Sequence, residues 1–113
     1  MAMKRNIAGK NFGQSRRSGR NEVIQTLKVH LPELREHYGV NSLWIFGSYV
    51  RDEQSKRSDL DVLVEFGRTP SLFEFVRLER HLSELLKMKV DLVMKRALKP
   101  AIGRHILEEA HQV

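Results

Sequence analysis

Three aspartates of this 113-residue chain stand where local propensity argues against them. Asp59 and Asp61 open the segment Leu60-Asp61-Val62-Leu63-Val64, and Asp91 interrupts the apolar segment Val90-Asp91-Leu92-Val93. Aspartate is depleted in strands, so carboxylates inside two strand-like segments call for a reason other than propensity. Residues i and i+2 of a strand project from one face about 6.6 Å apart at the backbone. Carboxylates so placed can converge on a hard divalent cation, which prefers oxygen ligands. The same residues admit a plainer account, in which Asp59 caps a turn and Asp91 lies on a solvated edge.

Gly47-Ser48 supplies a complementary feature. A glycine after a strand allows close backbone approach, and a serine opening a helical turn offers its hydroxyl and free N–H groups to an anion. Arg51, one turn later, adds a fork of donors for the same anion. A phosphate facing a carboxylate pair requires a cation between them, and a metal-bound nucleoside triphosphate meets that condition. Each piece alone is also a common turn or surface residue.

The elements that must position these residues follow from periodicity. A helix is predicted from an N-cap at Asn21, with Ile24, Leu27, Leu31, Leu34 and Tyr38 spaced by three and four. Pro32 predicts a kink or two abutting helices, and Gly39 suits the C-cap. Val40–Phe46 reads as a short strand with Trp44 and Phe46 in the core, followed by a helical turn over 49–52 and a polar loop. Leu60–Phe66 alternates as a second strand; if Leu60, Val62 and Val64 face the core, the carboxylates face the other way. Ser71 caps a further helix, in which Phe73 and Phe75 cannot share one narrow stripe, so one is expected in the core and the other at a partner contact. Val90–Met94 forms a third strand, and Pro100 opens a last helix with Ile102, Ile106 and Leu107. The order predicts an α/β (α+β) domain: a small mixed sheet with helices packed on one side.

Taken in order, Gly47-Ser48, Arg51, Ser58-Asp59-Leu60-Asp61-Val62-Leu63-Val64 and Val90-Asp91-Leu92-Val93 resemble the minimal nucleotidyltransferases (MNT) of the DNA polymerase beta superfamily. Within that group the chain looks most like the MntA-like antitoxins of MNT–HEPN toxin–antitoxin pairs. The resemblance covers about residues 22–111. It implies a nucleotidyltransferase-like fold in which Gly47 and Ser48 hold the triphosphate of ATP, with Arg51 and Ser58 assisting. It implies that Asp59, Asp61 and Asp91 bind two Mg²⁺ ions, with Asp91 also activating the attacking hydroxyl. The implied reaction moves AMP from ATP to a protein hydroxyl, a tyrosine of a HEPN-type ribonuclease toxin. One departure is Asp52, where this family usually carries glycine.

Composition bounds the alternatives. The chain has 20 basic and 14 acidic residues, a formal net charge of +6. Lys4, Arg5, Lys10, Arg16, Arg17 and Arg20 fall in a leader, residues 1–20, that contains no acid. The remaining basic residues equal the acids in number, so the predicted domain, 21–113, is charge-balanced and no broad cationic face is expected on it. The leader has too few apolar residues to offset its ordering entropy and is expected to be disordered. Absence of cysteine removes disulfides and thiolate metal sites. The five histidines show no compact metal spacing and are assigned to the surface. No segment has the length and apolarity of a membrane span, and a cytoplasmic protein is expected. Two rival functions follow: a non-catalytic antitoxin that blocks its partner sterically, and a nucleic-acid binder that acts only through the leader.

Overall fold

The computed structural model describes residues 19–50 and 59–113; Arg51, Asp52, Ser58 and most of the basic leader lie outside them. The elements run α1 (Arg20–Tyr38), β1 (Val40–Phe46), a 3-10 turn (Gly47–Tyr49), β2 (Leu60–Phe66), α2 (Leu72–Leu86), β3 (Val90–Met94), a 3-10 turn (Lys95–Ala97), α3 (Pro100–Glu109) and β4 (His111–Gln112). The sheet order is β3-β2-β1-β4. β1 pairs antiparallel with β2 and β4, while β2 and β3 are parallel. This is the mixed α+β sheet that the element order predicts.

Alternation decides which face is core. Leu43 and Ile45 of β1, Leu60, Val62 and Val64 of β2, and Val90 and Leu92 of β3 are buried in one cluster with Val23, Leu27, Leu34, Leu78 and Leu82 of α1 and α2. These two helices therefore pack on one face of the sheet, and α3 packs beside β1. Trp44 and Phe46 depart from the expected core placement. They are half-buried, and their cross-strand partners Leu63 and Asp61 belong to the opposite face. One strand cannot direct Ile45 and its neighbours to the same side.

Two features of α1 also differ from expectation. The N-cap is Gly19 rather than Asn21, and the helix runs unbroken through Pro32. Pro32 and Lys28, whose carbonyl the missing N–H would have bonded, are both exposed, so water can satisfy that carbonyl. The apolar stripe remains in phase across the proline and holds the helix to the sheet. Gly39 then ends it in the left-handed region, φ 70°, as its position predicts.

α2 begins with a reciprocal capping box. The Glu74 N–H donates to Ser71 Oγ (3.1 Å), and the Ser71 N–H donates to Glu74 Oε1 (2.9 Å). Phe75 packs against the core and Phe73 is 75% exposed, which divides the pair as the spacing requires. β4 is an addition: two residues with no alternation pattern, joined to β1 by pairing and by the Val113 N–H to Leu43 O bond. Among the described residues no helix is long and apolar enough to cross a membrane.

Candidate active site

The parallel pairing of β2 and β3 sets Asp61 directly opposite Asp91. Parallel neighbours lie about 4.8 Å apart and share side-chain direction, so both carboxylates rise from the face opposite the core. Asp59 precedes Asp61 by two residues on the same parity. Its carboxylate forms an ion pair with Lys89 Nζ at 3.8 Å, and the Leu60 N–H to Lys89 O bond ties the two strand entrances together. Lys89 is 80% exposed at its side chain, so this pair contributes little to stability.

The Gly47 turn meets the same carboxylates from the other side. Phe46 pairs with Asp61 across β1 and β2, and Gly47 follows at φ 80°. A Cβ on Gly47 would collide with Asp61 Oδ2 and stand 3.2 Å from its Cγ. Glycine is thus required twice, by backbone conformation and by the carboxylate seated against it. The turn is anchored behind: Tyr49 is buried in the core, the Val50 N–H donates to Gly47 O, and Arg20 Nη1 donates to Val50 O at 3.0 Å. Ser48 is half-buried between these anchors.

Asp91 sits on an edge strand whose free N–H groups would otherwise face solvent. α2 covers them: the Val90 N–H donates to Ser83 Oγ (3.1 Å) and the Leu92 N–H to Glu79 Oε2 (2.9 Å). The two bonds fix the backbone on either side of Asp91 and blunt the edge. Sequence periodicity does not reveal Glu79, Ser83, Lys89 or Arg20 as supports. The i, i+4 spacing of Glu79 and Ser83 marks a helix face, but only the packing of α2 on β3 assigns it a task.

The structure thus brings Gly47, Ser48, Asp59, Asp61 and Asp91 to one end of the sheet. Arg51 and Ser58 fall outside the described residues. Among the described residues no group of three or more histidines and carboxylates is placed to hold a metal ion by itself. Mg²⁺ needs only one or two carboxylates from a protein and completes its shell with water and substrate phosphates. The hard oxygen donors, and the glycine whose missing Cβ leaves room for the Asp61 carboxylate, fit such an ion. Chemically, the arrangement sets hard oxygen donors beside a tight glycine turn.

Comparison with known proteins gives that class a family. Residues 27–112 match the nucleotidyltransferase domain family, and the chain belongs to it as a nucleotidyltransferase. The chain is 48% identical over 88 residues to the protein adenylyltransferase MntA of Thermococcus cleftensis, covering 78% of this chain and 89% of that one. A solved structure assigned as a minimal nucleotidyltransferase superposes with a TM-score of 0.72 at 31% identity, covering 85% of this chain and 97% of the other. The AMPylated HEPN toxin of Shewanella oneidensis in complex with its MNT antitoxin includes a chain similar in fold (TM-score 0.53, 22% identity), over 82% of this chain and 66% of that one.

Proposed function

We propose that this nucleotidyltransferase is a Mg²⁺-dependent protein adenylyltransferase that acts as an antitoxin, moving AMP from ATP to a tyrosine hydroxyl of a HEPN-type toxin. The observation that carries the proposal is the register of Asp61 with Asp91, beside a glycine that leaves room for the Asp61 carboxylate. The names of the similar proteins support the donor and the partner. The transferase domain spans residues 21–113.

Asp59, Asp61 and Asp91 are the residues that would hold Mg²⁺. The bound ions would neutralise the triphosphate, acidify the acceptor hydroxyl and stabilise departing pyrophosphate. Gly47 and Ser48 bind the triphosphate, the glycine through close backbone approach and the serine through its hydroxyl. Arg51 and Ser58 add donors to the same phosphates. Asp91 takes the hydroxyl proton as its oxygen attacks the α-phosphorus. The new ester bond forms as the bond from the α-phosphorus to the bridging oxygen breaks, and pyrophosphate leaves with that electron pair.

Intact mass spectrometry of the HEPN-type partner after incubation with this chain and Mg-ATP tests the proposal. An AMP-sized increment on the partner is expected. Asp59→Asn with Asp61→Asn should lower transfer by at least about 100-fold while leaving the thermal melt unchanged, because no core atom is lost. Transfer at the parental rate in that variant refutes the metal role. Neutralisation of the toxin by the same variant without ATP would establish the steric function instead.

A further inference from the structure

The fold makes little use of α3, although its sequence is amphipathic. Only Gly103 of the helix is buried, while Ile102 and Leu107 are 53% and 37% exposed. Together with the preceding turn, α3 forms a shallow groove of about 490 Å³. Leu98, Pro100, Gly103 and Leu107 form its apolar part, and Lys99 and Arg104 stand on its rim. Gly103 lies against Leu98, and a Cβ there would meet Leu98 Cβ at 3.4 Å, an ordinary van der Waals contact.

Charge selects the occupant. Glu108 is the one carboxylate among the groove's lining residues, against Lys95, Lys99 and Arg104. Lys95 is already engaged, 3.6 Å from Glu65 and 5.0 Å from the centre of the Trp44 ring, but Lys99 and Arg104 are exposed. A second copy related by a twofold axis would set these cations against themselves. Single-stranded nucleic acid would want aromatic platforms, and no aromatic residue lines this groove. An apolar floor with a cationic rim fits a helix whose apolar ridge is flanked by carboxylates.

We infer that the α3 groove docks such an acidic amphipathic helix of the partner protein. The inference rests on the reading that the chain acts on a protein partner. The groove begins beyond β3, about 13 Å along the chain from Asp91 at ordinary strand rise. It therefore holds the partner without occupying the carboxylate end.

The test measures binding of the full chain to the separately purified HEPN-type partner at low and high salt. Leu107→Glu, and separately Lys99→Glu with Arg104→Glu, should each raise Kd at least tenfold, with parental melting and parental Mg-ATP binding. The parental complex should weaken with salt, and the doubly charge-reversed variant should lose most of that dependence. Asp59→Asn with Asp61→Asn should bind the partner as the parent does. Parental affinity in both groove variants overturns the inference, as does failure of the parent chain to form a complex. A dimer of the chain alone that Leu107→Glu dissolves overturns it in favour of a second copy. Loss of affinity for an RNA oligonucleotide, with the protein complex intact, overturns it in favour of nucleic acid. A groove-dependent complex without AMP transfer would support the groove and refute the adenylyl chemistry, so the two failures are distinct.

Discussion

The two ends of the β2–β3 pair carry opposite chemistry on one continuous sheet. Where the strands begin, Asp59, Asp61 and Asp91 gather beside Gly47, and Lys89 pairs with Asp59. Where they end, Glu65 is paired with Lys95 and Glu74 with Arg68, while Lys99 and Arg104 stand exposed beyond β3. Among the described residues, three carboxylates thus gather at one end, while at the other two cations stand outside the ion pairs named here. Net charge excludes a broad cationic face but says nothing about two local ones of opposite sign. The proposed function uses the carboxylate end for a cation and phosphate, and the proposed docking uses the α3 groove for a macromolecule.

That contrast can be broken at several points. The largest expected effect is the loss of transfer in the Asp59/Asp61 double variant, with no matching loss in partner binding. Next is Gly47→Ala. Its Cβ would displace the Asp61 carboxylate, and its φ lies in the left-handed region. A stability loss of about 1–2 kcal/mol is expected from the backbone alone, together with a fall in transfer larger than that loss explains. Gly19→Ala, with nothing within 4 Å of the added carbon, is the control and should retain transfer. Chemical denaturation and initial rates on the same samples separate the two components.

Glu79→Ala sharpens the comparison by loosening one carboxylate's backbone without touching its side chain. The Leu92 N–H loses its acceptor, at a cost of about 1–3 kcal/mol in urea unfolding. Glu79→Gln, which retains a carbonyl acceptor, should recover most of this. Smallest is the capping box of α2. Ser71→Ala should cost about 1 kcal/mol and leave transfer unchanged, since the cap lies beyond the carboxyl end of β2. The Ser71 backbone N–H above all holds the Glu74 carboxyl below its ordinary value; desolvation opposes it, and the Arg68 charge adds a lesser pull in the same direction as Ser71. A depressed carboxyl stabilises the fold above its unfolded pKa and loses that contribution as pH falls through the folded one. The parent should therefore lose more stability than Glu74→Gln across the acidic limb of a pH–melting series.

Much of this was legible from spacing. Strand positions 40–46, 60–66 and 90–94 follow from apolar runs bounded by turn residues, and the Ser71 cap follows from serine and glutamate three apart. The outward direction of Asp59 and Asp61 follows from Leu60, Val62 and Val64 pointing inward. Trp44 and Phe46 were harder, because hydrophobicity says that a side chain avoids water and not which face of a sheet receives it. Pro32 was harder too: the cost of a missing hydrogen bond depends on whether water reaches the abandoned carbonyl. β4 leaves no signal, since two paired residues show no period.

The sequence by itself determined the three longer strands and the helices, the faces of β2 and the identity of the chemical groups, because periodicity and side-chain type are local properties. Only the tertiary structure decided that β2 and β3 are parallel neighbours in the register that opposes Asp61 to Asp91. It alone seated Gly47 against that carboxylate and spread α2 across the edge of β3. Register is a relation between distant segments, set by the joint packing of α1, α2 and the sheet, and no single segment contains it.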